Sequence, residues 1–266
     1  LKKEGYDLLT ISHPSANLQE HYVISEYAKL KLNLDSVILG VVFDDFREDG
    51  VRNDIGKVLN DKSLSVALSV TKIGRKIIKK SSDVLDTEDD YAGLKMTFQD
   101  KTERLLNEQL ESTTELWERR AYLRGLVFNT LYKVRNYIFN INPSSKRKMI
   151  KPRFVDNWSA LEQLIDSNNA SGINVYIYIA PIRGDVEAPY VLSEYNDFKQ
   201  KISLLASEKK VHFMNYEDLV PAKFWGMKDS TGASGLAELD FMHYQYGGHK
   251  ILSNKIYKDF ELREVE

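Results

Sequence analysis

The chain has 266 residues, 42% of them hydrophobic and 29% charged. This is the balance of a folded domain, and it excludes a disordered tail, a collagen-like fibre and a disulfide-stapled miniprotein. Lys and Arg number 37 against 39 Asp and Glu, for a net charge of −2, so no global basic field argues for nucleic acid. Cys is 0, which removes disulfides, thiolate nucleophiles and Cys-based zinc sites.

In chain order, residues 1–5 (LKKEG) read as the last turn of a helix closed by Gly5. Residues 7–12 (DLLTIS) predict a short strand. A turn holding Pro14 follows, then a helix over 17–32. Residues 36–43 (SVILGVVF) form an almost continuous apolar, β-branched run, the pattern of a strand buried in a parallel sheet. The pattern then turns helical over 47–140. Within it, residues 98–139 carry apolar side chains at spacings of three and four, enough for two helices or one long bent one. The segment around Pro143 ends this stretch. Alternating elements resume with a helix over 155–168 ended near Gly172, a strand over 173–180, a helix over 192–209 and a strand over 211–215. A loop with Pro221, Trp225 and Gly226 leads to Asp240-Phe241-Met242-His243, and a last helix follows Gly247-Gly248. No apolar run reaches the roughly 18 residues of a membrane span, and no signal peptide is visible. The chain opens on Leu1, not Met, and so reads as a processed or truncated product.

Three segments could carry chemistry. An Asp three residues before a His, as in Asp240 and His243, can take the Nδ1 proton and leave Nε2 as a general base. It can equally be a structural pair. The pair is placed on a loop after the last strand, at the carboxyl edge of the sheet, where α/β folds bind ligands. The strand over 36–43 runs into Asp44-Asp45, which read either as site acids or as a helix cap. The turn 12–17 (SHPSAN) reads either as a turn with a cap or as a source of backbone N–H donors.

These segments, in this order, resemble the SGNH (GDSL-type) hydrolase superfamily. The resemblance implies a three-layer, flavodoxin-like α/β fold with a parallel sheet and a Ser-His-Asp triad acting on acyl esters. Asp240 and His243 match its terminal D-x-x-H block, as orienting acid and base. Gly40 to Asp45 loosely match its Gly-x-Asn-Asp block, with Asp44 in place of the oxyanion Asn. Ser15 falls near the second oxyanion donor. The Gly-Asp-Ser block would precede Leu1, so the expectation is one domain over 1–266 lacking its first strand, with a helical insertion over 47–150. The terminal phrase DFMHYQYGGH looks most like the branch serving cell-envelope acylation, which includes the D-alanyl transfer protein of lipoteichoic acid and the alginate O-acetylation proteins. That branch implies hydrolysis of, or acyl transfer to, a cell-envelope glycan or polymer. It also implies an extracytoplasmic or periplasmic location with an upstream membrane anchor, and a membrane-bound acyltransferase as partner. A non-catalytic protein of this fold, binding glycan or such a partner, is the competing reading. An ionised Asp44 cannot donate to an oxyanion and favours it.

Other residues have two readings each. Arg183 ends a strand on the same edge and could bind an anionic or glycan substrate, or pair with Asp185 or Glu187. His249 reads as structural or capping. The basic groups 72–80 and 146–153 could face an anionic polymer or membrane, or be solvated surface. Trp158 and Trp225 could stack on sugars or sit in the core. No cofactor is called for, since neither metal-ligand spacing nor a phosphate-cradling Gly-rich loop is present.

Overall fold

A computed structural model of the chain describes residues 8–11, 16–89, 120–139, 145–228 and 237–261. The architecture is mixed α/β on a parallel three-stranded sheet, β1 (Ser36–Val41), β2 (Asn174–Ile179) and β3 (His212–Asn215), in the order β1-β2-β3. Ser36 pairs with Asn174 and Val41 with Ile179, while Tyr176 pairs with His212 and Ile179 with Asn215. Central β2 (NVYIYI) buries Val175, Tyr176, Ile177 and Ile179, as a strand covered on both faces must. β1 ends at Val41, two residues before its apolar run does, because Phe43–Phe46 winds into a 3-10 turn.

The chain divides into two compact units. The first comprises Leu1–Ser81, Lys146–Gly226 and Asp240–Glu266, and holds the parallel sheet. Its helices are α1 (Leu18–Lys31), the single turn α2 (Asn53–Gly56), α3 (Lys62–Ser69), the first part of α4 (Lys72–Asp89), and, beyond the second unit's α5, α6 (Lys151–Ala170), α7 (Leu192–Glu208) and α8 (Tyr246–Glu261). α1 packs on α6 and α3, α6 on β2, and α7 on β3. One buried cluster joins them, with Tyr22 of α1, Leu68 of α3, Leu161 of α6, Ile177 of β2 and Phe198 of α7. The second unit, Ser82–Ser145 with Met227–Leu239, contains α5 (Arg120–Ile138). A two-stranded sheet of β4 (Trp225–Lys228) and β5 (Glu238–Tyr244) completes the described elements.

Local chemistry sets the helix ends. Asn17 caps α1 by accepting from Glu20 N–H at 3.1 Å, and Glu20 accepts from Asn17 N–H at 3.0 Å, a reciprocal capping box. α6 starts four residues before its apolar periodicity, because Pro152 sits in the first turn, where a missing N–H costs nothing. It ends with Gly172 at φ 73° while Ile173 N–H reaches back to Asn168 O at 3.0 Å, a Schellman closure. α7 ends the same way, but with Lys210 in the left-handed position at φ 54°.

Two expectations are corrected. Residues 8–11, the described part of the expected first strand, form no strand, and Leu8, Leu9 and Ile11 are half exposed. Their apolar run meets no strand neighbour among the described residues. Asp240–His243 lies within strand β5, paired with β4, not on a loop; β4, four residues long with a glycine, carries no apolar pattern to announce the pairing. The expected helix end at 1–5, the turn with Ser15 and residues 98–119 of the expected helical stretch over 98–139 lie outside the described residues.

Candidate functional site

β5 places Asp240 with its side chain buried (10% exposed) and His243 almost fully in solvent (85% exposed). Asp240 Oδ1 accepts the backbone N–H groups of Met242 and His243, both at 3.0 Å. The imidazole Nδ1 of His243 lies 3.1 Å from Oδ1 and 3.0 Å from Oδ2. Burial pushes the Asp240 carboxyl up, but the two backbone N–H bonds and the histidine outweigh it and hold it below the usual carboxylate range. The acid is therefore an ionised acceptor fixed by its own strand. The ring it orients turns Nε2 toward solvent. An imidazole so held can take a proton from an incoming hydroxyl or water.

The strand is anchored to the main sheet by Arg183. Its backbone N–H contacts Phe241 O at 3.4 Å, and its guanidinium donates to Gly226 O at 2.9 Å. The remaining donors go to Asp185, at 2.7 and 3.0 Å. Arg183 is thus a tie between the end of β2 and the β4–β5 sheet, with its guanidinium engaged internally. Gly247 and Gly248 open α8 directly behind the dyad. A Cβ on Gly247 would run into the Phe224 ring, and one on Gly248 into Tyr244. His249 packs its ring against Tyr244 at 4.5 Å.

Asp44 stands at the carboxyl end of β1. Phe43 and Phe46 flank it in the 3-10 turn and are fully buried, Phe43 against Tyr190 at 4.6 Å and Phe46 against Phe198 at 5.3 Å. With those rings pinned inward, Asp44 is left to face the sheet edge. Its Oδ1 takes a bond from Arg47 at 2.6 Å, and its Oδ2 pairs with Arg147 and accepts the Tyr190 hydroxyl at 3.1 Å. An isolated bridge between Arg147 and Tyr190 holds these two partners side by side, with Val191 N–H donating to Arg147 O at 3.1 Å. Tyr190 also lies 3.5 Å from Met242 Sδ, which connects the Asp44 cluster to the strand that carries His243. Burial, reinforced by the Asp44 charge, raises Tyr190 far above the ordinary phenol, so it remains a donor. Burial likewise raises Asp45, whose Oδ2 accepts Val42 N–H at 2.8 Å.

Asp44, Arg183, Asp240 and His243 therefore all belong to the unit that holds the parallel sheet, while Ser15 lies outside the described residues. Arg47, Arg147 and Tyr190 are the members that sequence reasoning missed. The Asp44–Arg47 spacing of three was the one local signal for them. In the sequence Arg147 stands only in a basic run, and nothing local marks Tyr190 among 15 tyrosines. The basic runs find internal partners: Lys76 and Lys80 pair with Asp156, Lys80 with Asp49 and Lys146 with Glu187. Trp158 stacks on Phe154 and Trp225 is buried with its N–H on Val220 O, so both serve the packing. Among the described residues no group of three or more His, Asp or Glu converges as a metal ion would require.

No family model, no curated protein and no solved structure matches this chain.

Proposed function

We propose that the chain carries the acid–base half of a Ser-His-Asp acyl-ester enzyme, on a flavodoxin-like three-layer fold of the SGNH type. The observation that carries this reading is a solvent-open imidazole held at 3.0 Å by a buried, ionised carboxylate. A serine N-terminal to Leu1 attacks the acyl carbonyl and His243 Nε2 takes its proton. His243 then returns the proton to the leaving alkoxide as the acyl-enzyme forms. Water or a sugar hydroxyl, deprotonated by the same nitrogen, next attacks the acyl-enzyme and frees the serine. The open position of His243 gives a bulky acylated substrate, such as a cell-envelope glycan or polymer, access to the base; an extracytoplasmic location and a membrane-bound acyltransferase as partner belong to the same reading.

A second reading, a non-catalytic protein of the same fold that binds glycan or such a partner, is favoured by one observation. Asp44, where an oxyanion donor belongs, is an acceptor for Arg47, Arg147 and Tyr190. The intact protein is assayed on a small chromogenic acetate ester. Under the enzyme reading, His243→Ala lowers the rate by about 10²–10⁴-fold and Asp240→Asn also lowers it, with the fold intact by circular dichroism. Hydrolysis no faster than buffer rejects it in favour of the second reading, and full activity in His243→Ala rejects His243 as the base.

A further inference from the structure

Helix α5, in the second unit, presents apolar side chains to solvent. Leu126, Val127, Leu131, Val134, Tyr137 and Ile138 are between 44% and 76% exposed. At about 100° per residue these six positions fall within one arc of roughly 140°. Thr130, also inside that arc, turns its hydroxyl back to Leu126 O at 2.7 Å. Asn136 is buried on the opposite side. Lys133 borders the arc on one flank and Arg135 on the other, with the Arg135 guanidinium donating to Asn136 Oδ1 at 3.2 and 2.8 Å. Phe139, just past the helix end and outside the arc, is also 70% exposed.

The charge pattern selects the occupant. Between residues 120 and 139 the sequence has Arg120, Arg124, Lys133 and Arg135, and no Asp or Glu. A second copy docked face to face would bring cations against cations, with no acid on either helix to neutralise them. An anionic lipid surface meets both demands at once. Its acyl region takes the apolar arc, and its headgroups attract the cations of a helix that has no acid. Among the described residues no helix is long and apolar enough to cross a membrane. We propose that α5 lies in the plane of an anionic membrane surface, with its Leu126–Ile138 arc immersed.

The chain has no cysteine, so a single introduced one can be labelled without ambiguity. An environment-sensitive fluorophore on Leu131→Cys or Ile138→Cys of the intact protein is compared with one on Val66→Cys, which is 68% exposed on α3. With vesicles of equal parts phosphatidylglycerol and phosphatidylcholine, labels at 131 and 138 shift to the blue and the label at 66 does not. The shift weakens as salt is raised and is small on pure phosphatidylcholine. Charge reversal by Lys133→Glu with Arg135→Glu lowers vesicle affinity by about tenfold or more. Four results overturn the proposal: no shift on anionic vesicles, an equal shift at 66, unchanged affinity after charge reversal, or a vesicle-independent shift that grows with protein concentration. The last would make the occupant a second copy.

Discussion

A carboxylate that accepts from two guanidiniums and a phenol is largely occupied as a hydrogen-bonding group, and Asp44 is in that position. Its side chain is 21% exposed and those of Arg47 and Arg147 are 22% and 31%, so water screens the cluster only in part. In Asp44→Asn one amide oxygen must serve where two charged oxygens did, and the amide NH₂ faces a guanidinium that can only donate. The variant should lose about 1–3 kcal/mol, read as a lower urea midpoint at unchanged m value. In the ester assay the same variant reports on the site itself. A large gain marks Asp44 as a lost oxyanion donor, whereas a fall gives the Asp44–Arg147 pair a role of its own. The D-x-x-H pair was legible at this scale because every bond that fixes it lies within three residues. Arg147 and Tyr190 were not, because what makes them site residues is a contact to Asp44 more than a hundred positions away.

The elements divide by the same logic of local against distant causes. The span of α1, the three parallel strands and the Schellman end of α6 were readable from apolar runs, an Asn cap and a glycine. The β4–β5 sheet was not, since a four-residue strand with a glycine has no periodicity to detect, and its pairing stabilises it only after folding. Residues 8–11 show the converse: strand-like composition, with no partner to make a strand of it. At the end of α7 the chain uses a lysine where the backbone asks for glycine. Lys210 sits at φ 54°, with its N–H on Ser207 O at 3.2 Å and the next N–H on Ala206 O at 2.9 Å. A Cβ in that conformation costs roughly 1–2 kcal/mol, partly offset by the greater freedom that glycine has in the unfolded chain. Lys210→Gly should therefore raise stability by about 0.5–1 kcal/mol in equilibrium urea unfolding, and an unchanged or lower midpoint would contradict it.

For the molecule as a whole, Glu20 is the buried acid that couples the first helix to pH. Its carboxylate is fully buried, caps α1 through Asn17 N–H and accepts from Arg52 backbone N–H at 2.9 Å and Arg52 Nε at 2.8 Å. Burial pushes this acid up, but the bonds from Arg52 and Asn17 and the Arg52 charge together hold it below the ordinary glutamate value. A depressed acid stabilises the fold at neutral pH, and that contribution is lost as pH falls below the ordinary glutamate range toward the folded value. Glu20→Gln should lower stability by about 2 kcal/mol at pH 7, and the gap to wild type should shrink as pH approaches 3. Urea midpoints taken across that interval test the sign as well as the size. The parallel register has a different consequence, one of time. Ser36 waits for Asn174, so the central pairing closes a loop of about 140 residues before it returns any stability. During synthesis β1 emerges long before β2 exists, carrying Val37, Ile38, Leu39 and Val41 with no strand to meet. That interval makes the molecule a slow folder, and it makes 36–41 the segment on which a chaperone, or an aggregate, would first act.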